Sequence, residues 1–179
     1  MAAGFDASDS ALRWARFDVH ARELMEVTQQ PRRDGAAEAC AERLGSLIPK
    51  ILVVDNDHGV RGQLCRVYQQ SGYHVETAAS AEEALCHLAR GGIDFAISDI
   101  KLPGMSGTQL IAFMQESYPD VPVIAITGYL DIDAAVKVLK YGAMDFVVKP
   151  FDLMAVRDAT AAALERTRVY MEIRHLRQA

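Results

Sequence analysis

Short apolar segments alternate with helix-like patterns along most of this chain, and this alternation constrains the fold more strongly than any other feature. The segments lie at residues 51–55, 73–77, 95–98, 121–127 and 144–148. Their runs of β-branched and other apolar side chains are typical of strands buried on both faces of a sheet. Because a helical pattern follows each segment after a short connection, the sequence predicts an α/β fold. We expect a parallel sheet with helices on both faces, joined by right-handed crossovers.

Local signals mark where several helices begin. Val60, Leu64 and Val67 recur at helical spacing and predict the first helix. The Ser-x-x-Glu pattern of residues 80–83 predicts a capping box at the start of the second. The last helical pattern begins near Phe151 and contains no Gly or Pro up to the end of the chain. One helix is therefore predicted to run past the edge of the domain.

Polar side chains that could bind a ligand lie at the carboxyl ends of four of the apolar segments, namely Asp55, Asp99, Thr127 and Lys149. In open parallel sheets, ligands bind beyond the carboxyl ends of the strands. Each residue alone has an ordinary explanation, since an aspartate after a strand usually caps a helix or forms a turn. Together, clustered acids, a hydroxyl and a lysine make an oxygen-rich pocket suited to Mg²⁺ and a phosphoryl group.

Composition narrows the possible classes of function. The net charge of -5 and the pI of about 5.5 argue against a nucleic-acid-binding surface over the whole molecule. The 3 cysteines are widely spaced and form no Cys/His cluster, so we expect reduced thiols and no zinc site. No apolar run approaches the ~20 residues of a membrane span, and the N-terminus lacks a secretory apolar core. We therefore expect a cytoplasmic protein without membrane contact.

Four stretches carry a resemblance to a known family: ILVVDND at 51–57, SDIKLPGMSG at 98–107, AITG at 125–128 and GAMDFVVKPFD at 142–152. They resemble the receiver domain of response regulators in two-component signalling. The resemblance implies the flavodoxin-like fold, which is a doubly wound, five-stranded parallel sheet. Residues 126–152 look nearest to receivers of nitrogen-regulation and nitrogen-fixation regulators.

The resemblance also implies roles for individual residues. Asp99 would accept a phosphoryl group from a sensor histidine kinase, a histidine phosphotransfer protein or a small phosphodonor. Thr127 and Lys149 would each bind a phosphoryl oxygen, and the Lys149–Pro150 peptide bond would be cis. Thr127 and Phe146 would form the switch, although Phe146 also fits a strand residue that simply packs on a helix.

Asn56 departs from the family pattern, which has a second acid at this position as a direct ligand of Mg²⁺. A neutral amide oxygen can still coordinate the ion, but it lacks the Coulomb attraction of a carboxylate. We therefore expect Asp55, Asn56 and Asp99 to form a weakened magnesium site. Asp57, the next residue, could substitute for Asn56, or it could serve only as the usual third acid of the motif.

The resemblance divides the chain into an N-terminal extension (1–48), a receiver domain (49–168) and a C-terminal helix extension (169–179). The extension at 1–48 has helical patterns. It could be a packing or partly disordered segment, or a hairpin for dimerisation or partner docking. The arginines of the last helix fit a solvated face, so we expect no DNA contact there.

Two classes of function follow. The first is a phosphorylation switch that acts on an unknown downstream protein, with a homodimer as one further possibility. The second is a phosphorylation-independent interaction module with a weakened magnesium site. No Gly-rich phosphate loop or catalytic triad indicates an independent enzyme.

Overall fold

The computed structural model describes residues 48–128 and 132–178. Within these ranges, five strands alternate with five helices, as the sequence pattern predicts. The strands are β1 (Lys50–Val54), β2 (His74–Ala78), β3 (Phe95–Asp99), β4 (Val123–Gly128) and β5 (Asp145–Lys149). The helices are α1 (His58–Gln70), α2 (Ala81–Arg90), α3 (Gly107–Ser117), α4 (Ile132–Lys140) and α5 (Leu153–Gln178). The N-terminal extension predicted at 1–48 lies almost entirely outside the described residues.

All strand pairs are parallel, and the strand order is β2-β1-β3-β4-β5. This is the flavodoxin-like order. Strands are added toward one edge of the sheet from β1 to β2 and toward the other edge from β3 onward, so the strand order reverses between β1 and β3. The reversal leaves a crevice beyond the carboxyl ends of those two strands. Asp55 and Asp99 come from the ends of the same two strands.

Apolar side chains fill both sides of the sheet. Helices α1 and α5 contact each other, and they share a core with alternate residues of the central strands, such as Ile51, Phe95 and Ile124. Helix α3 contacts α2 and α4. The helical face that α2 buries consists of Ala81, Ala84, Leu85 and Leu88. The sheet is thus covered on both faces, and the buried acids Asp55 and Asp99 lie at the carboxyl ends of β1 and β3.

The capping prediction was half right. At α2, Ser80 Oγ accepts a hydrogen bond from the Glu83 N–H at 3.2 Å, but the Glu83 carboxylate accepts the Ala79 N–H instead of closing the box on Ser80. A complete capping box occurs at the start of α3, between Ser106 and Gln109. The extended backbone at Ser80 carries the Ala79 N–H into reach of Glu83. The sequence pattern alone does not define that geometry.

Helix α5 extends through residue 178, beyond the predicted domain edge at 168. No helix in the described ranges is long and apolar enough to cross a membrane. The Lys149–Pro150 peptide bond is cis, as the resemblance implied.

Candidate functional site

Lys149 joins the ends of three strands into one charged cluster. Its ammonium Nζ lies 2.8 Å from Asp55 Oδ2 and 2.6 Å from Asp99 Oδ2. The Asp55 side chain is fully buried, and the Asp99 side chain is 8% exposed. Lys149 is more accessible, with 27% of its side chain exposed. The structure therefore unites three of the predicted site residues, with Asp99 reachable at the rim and Asp55 beneath it.

Backbone groups fix the other oxygen of each carboxylate. Asp55 Oδ1 accepts the N–H of Asp57 at 2.8 Å, and Asp99 Oδ1 accepts the N–H of Lys101 at 2.9 Å. Both donors lie two residues after the acid, in the loop that follows its strand. Each carboxylate is therefore oriented by its own loop before any ligand arrives.

Burial and ion pairing act against each other in this cluster. Burial raises the pKa of Asp55, although the Lys149 hydrogen bond opposes the shift. Burial also disfavours the charged ammonium of Lys149, but its hydrogen bonds to Asp55 and Asp99 outweigh this effect and raise its pKa. Lys149 thus remains a cation and offsets one of the two negative charges beside it.

Thr127 is buried at the end of β4, next to β3 in the sheet. Its hydroxyl Oγ1 lies 3.4 Å from the carbonyl oxygen of Gly128. No hydrogen bond in the described part of the chain joins Thr127 to the lysine cluster. The hydroxyl is therefore close to the site in the fold but separate from the charged network.

Asn56 and Asp57 differ in what their side chains do. Asn56 is exposed. The Asp57 side chain caps α1, where Oδ1 accepts the N–H groups of Gly59 and Val60 at 2.7 and 3.2 Å. These backbone hydrogen bonds lower the pKa of Asp57. The ordinary explanation of an aspartate after a strand, a helix cap, thus applies to Asp57.

The donor set fits Mg²⁺ only as a shared site. In residues 48–128 and 132–178, no group of three or more His, Cys, Asp or Glu side chains is arranged to hold a metal. Mg²⁺, however, usually takes one or two carboxylates and completes its shell with water and phosphate oxygens. Asp55 and Asp99 supply two carboxylates, and the Asn56 amide is the adjacent neutral oxygen donor. The residues present therefore suit Mg²⁺ together with a phosphoryl group.

Phe146 lies half-buried in β5, opposite Ala125 of β4. Its N–H donates to Asp145 Oδ1 at 2.8 Å. A half-buried ring is compatible with both interpretations of Phe146, as a switch residue and as a residue that packs on a helix.

Two residues that support the site were missed at the sequence level. Arg61, one turn into α1, donates from Nη1 to the carbonyl oxygen of Asp55 at 2.6 Å. Gly107 begins α3 so close to β3 that an added Cβ would lie 1.8 Å from the Asp99 carbonyl oxygen. Gly107 follows Ser106, which caps α3. A glycine at the start of a helix is a signal that another backbone segment could approach it closely, because it has no Cβ. Arg61 gave no signal beyond its place on the first predicted helix.

A doubly wound sheet with a lysine-bridged pair of aspartates at the crevice defines a receiver-type α/β domain. The family model for the response regulator receiver domain matches residues 51–161. The chain belongs to the response regulator receiver domain family.

Curated relatives support the same family. The chain is 37% identical over 134 residues to the C4-dicarboxylate transport transcriptional regulatory protein DctD of Rhizobium meliloti (strain 1021), covering 75% of this chain and 29% of that protein. It is 35% identical to the nitrogen assimilation regulatory protein NtrX of Azorhizobium caulinodans, covering 72% and 29%. The nitrogen-regulation resemblance is thereby confirmed. This chain spans less than a third of either relative.

Solved structures show the same fold. NtrX from Brucella abortus in complex with ADP matches with a TM-score of 0.70 and 29% identity over 73% of this chain and 30% of that chain. A receiver domain protein from Clostridium thermocellum matches with a TM-score of 0.65 and 29% identity, over 69% of this chain and 99% of that one. Both structures thus share the fold of the matched part of this chain.

Proposed function

We propose that this domain is a phosphoryl-accepting switch and that Asp99 is the acceptor. The bridge from Lys149 to Asp55 and Asp99 is the observation that carries the proposal. It places a partly exposed cation against two buried carboxylates, of which Asp99 keeps 8% of its side chain exposed and Asp55 none. In the reaction, a carboxylate oxygen of Asp99 attacks the phosphorus of a phosphohistidine. The P–N bond breaks, the imidazole leaves, and an acyl phosphate forms on Asp99.

The chain's own residues supply orientation and charge for this step. The Lys101 N–H holds one oxygen of Asp99, and Lys149 contacts the other. After transfer, Lys149 is placed to pair with a phosphoryl oxygen, and the Thr127 hydroxyl is the donor we assign to another. Positioning and charge neutralisation of this kind account for most of the catalysis of phosphoryl transfer.

Mg²⁺ is the metal we assign to the site, held by Asp55, Asn56 and Asp99. When bound, it would offset negative charge on the phosphoryl oxygens. Phosphorylation adds about -1.5 to -2 charges, and Lys149 already balances one of the two buried aspartates. A divalent cation would neutralise the negative charge that phosphorylation adds.

Thr127 and Phe146 are the residues we assign to the switch. Their strands β4 and β5 pair directly, with Ala125 opposite Phe146 and Thr127 opposite Val148. Movement of the Thr127 hydroxyl toward the phosphoryl group would shift the end of β4 and open space for the Phe146 ring to turn inward. Phosphorylation would then favour one of two packing states of the surface around α4 and β5.

The partners we propose are a sensor histidine kinase or histidine phosphotransfer protein and a downstream protein that reads the switch. One relative is named a DNA-binding transcriptional regulator, NtrC of Salmonella typhimurium, and the chain covers 24% of it. We therefore restrict the expectation of no DNA contact to the receiver domain, for which we propose bounds of 49–168. Contact between proteins, not independent enzyme activity, is the output we assign to that domain.

Family membership and the joined Asp55–Lys149–Asp99 cluster favour the switch over a phosphorylation-independent module. The direct test is labelling with acetyl phosphate in the presence of Mg²⁺, measured by intact-protein mass. We expect wild type to gain one phosphoryl group and Asp99→Ala to gain none.

Asp94→Ala is the matched control, since Asp94 precedes the same strand and binds the backbone N–H of Lys50 instead of the site. This variant should label as wild type does. Equal labelling of Asp99→Ala would show that another residue is the acceptor. A wild-type protein that takes no label but still binds its kinase would favour the interaction module.

A further inference from the structure

The loop between β3 and α3, residues 100–106, is tied down at both ends. At its start, the Lys101 N–H donates to Asp99 Oδ1 at 2.9 Å. At its end, the Gly107 N–H donates to the Ile100 carbonyl oxygen at 3.1 Å. These two bonds fix the Asp99 carboxylate at the start of the loop and Gly107 at the start of α3, and one further contact holds the loop between them.

Glu82 of α2 holds the loop near its end, at Met105. Its Oε1 accepts the Met105 N–H at 3.0 Å, a contact between residues 23 positions apart in the chain. Glu82 is half-buried and lies in the first turn of α2, whose next turn is anchored in the core by Ala84 and Leu85. The loop is therefore fastened to a helix that packs against the sheet.

Gly104 shows how closely this carboxylate sits against the loop. Its φ of +71° is in the left-handed region, and a Cβ at this residue would lie 2.8 Å from Glu82 Oε1. A side chain there would be strained and would also push Glu82 away. The turn at Gly104 and the carboxylate of Glu82 thus fit each other as one unit.

We propose that Glu82 is a positioning residue for phosphoryl transfer to Asp99, an inference that rests on the proposed function. Glu82 fixes Met105, the intervening turn transmits that constraint to Lys101, and the Lys101 N–H orients the attacking carboxylate. Loss of the Glu82 acceptor lets the loop open, so that Asp99 spends less time in the geometry required for attack.

Glu83 provides a matched control. It is also an acid in the first turn of α2, but it is exposed, and its carboxylate accepts the Ala79 N–H at 2.7 Å. Glu82→Ala and Glu83→Ala therefore remove the same charge from the same helix end, and each removes one hydrogen bond to the backbone. Only the first releases the phosphoacceptor loop.

The experiment measures two quantities in wild type, Glu82→Ala, Glu82→Gln and Glu83→Ala. One is the rate of labelling by acetyl phosphate, and the other is hydrogen exchange of the Met105 amide before labelling. We expect Glu82→Ala to exchange that amide roughly tenfold faster and to label several-fold more slowly, as loss of one partly buried hydrogen bond implies. Glu82→Gln keeps an oxygen acceptor, so it should recover most of both quantities, and Glu83→Ala should match wild type.

Several results would overturn the inference. Wild-type labelling by Glu82→Ala would show that the contact does not affect transfer. Equal slowing in Glu83→Ala would assign the effect to the helix end, and slowing in Glu82→Gln as large as in Glu82→Ala would assign it to charge. If Glu82→Ala does not fold, Glu82→Gln with slow labelling and fast exchange would also count against the role of the acceptor oxygen. A wild type without label would overturn the proposed function and this inference together.

Discussion

Two lysines on the same sheet are held by acidic side chains, one at the carboxyl ends of the strands and one near the edge strand β2. Lys149 lies between Asp55 and Asp99, whose side chains are 0% and 8% exposed. Lys50 lies 3.0 Å from Glu76 Oε1, and these two side chains are 36% and 32% exposed. Glu76 also bonds His87 of α2. The chemical groups are similar, but the surroundings are not.

The difference in burial separates the proposed phosphoryl-transfer cluster from the Lys50–Glu76 pair. About a third of each side chain in the Lys50–Glu76 pair is exposed, so water compensates part of the charge when the pair is broken, and we expect a contribution of ~0–1 kcal/mol. The aspartates at Lys149 have lost most of their water, so each depends on the ammonium for compensation. Full ionisation of both aspartates is therefore costly, and an incoming cation or phosphoryl group changes the charge balance of the cluster strongly. The cluster at the carboxyl ends is therefore the responsive one.

Substituting each lysine with methionine should give the largest difference in stability between the two clusters. We expect Lys149→Met to lower the free energy of unfolding by about 2–3 kcal/mol, below the usual cost of breaking a fully buried pair because Lys149 is partly exposed. For Lys50→Met we expect a loss below about 1 kcal/mol. Urea unfolding followed by circular dichroism measures both values. Similar losses would show that burial does not distinguish the clusters.

A second substitution sharpens the comparison by adding charge to the buried cluster. Asp55, Asp99 and Lys149 carry a net charge of -1, and Asn56→Asp would make it -2. We expect roughly tenfold tighter Mg²⁺ binding, since an anionic ligand adds Coulomb attraction that the amide lacks. Titration of backbone amide chemical shifts with Mg²⁺ measures the affinity.

Asp57→Asn is the control for this change, because it alters charge at the neighbouring helix cap. It should weaken Mg²⁺ binding by no more than about twofold, as expected for a screened, exposed charge. Equal affinities of wild type and Asn56→Asp would refute the weakened magnesium site. A large loss in Asp57→Asn would instead identify Asp57 as the substitute ligand.

The smallest expected effect is an opposite pH dependence of stability at the two clusters. At Glu76, burial opposes ionisation, but hydrogen bonds from Lys50 and His87 outweigh it and lower the pKa. Glu76 therefore stabilises the fold above the ordinary glutamate pKa of 4.5 and loses this effect as the pH falls through the lowered pKa. At Asp55, burial raises the pKa, so the folded state binds a proton more readily and the contribution improves as the pH falls toward 3.8.

Urea unfolding of Glu76→Gln and Asp55→Asn between about pH 3 and 7 checks these signs, with differences below about 1 kcal/mol expected at Glu76. On acidification, the deficit of Glu76→Gln relative to wild type should shrink, and that of Asp55→Asn should grow. Curves that change in the same direction would refute the contrast.

The strands and buried faces were predictable because they depend on local patterns. Runs such as 51–55 have few polar atoms and thus had to be buried on both sides. The residues that α2 buries, Ala81, Ala84, Leu85 and Leu88, recur at helical spacing along the sequence. Element ends were less secure, as the strand expected from Tyr73 begins at His74. A strand end depends on which neighbour supplies a hydrogen bond, and that neighbour lies elsewhere in the chain.

In the candidate site, too, some residues were predictable from the sequence pattern and others depended on tertiary contacts. Asp55, Asp99 and Lys149 could be placed at one rim because parallel strands point their carboxyl ends in one direction. Arg61 and Glu82 could not, since each acts through a hydrogen bond to another residue's backbone. The structure shows that the Asp57 carboxylate caps α1, and the Asp57→Asn titration tests whether it also replaces Asn56 as a metal ligand.

The sequence by itself determined the α/β class, the strand positions, the receiver resemblance and the set of polar residues at the strand ends. Only the tertiary structure decided that Lys149 bridges two aspartates, that Thr127 stays outside their network, and that Glu82 accepts the Met105 N–H in the loop after β3. Periodicity and residue type reflect the environment of each position, which neighbours in the chain already define. Distances between side chains of different strands and helices depend on how those elements pack, and packing is a property of the whole domain.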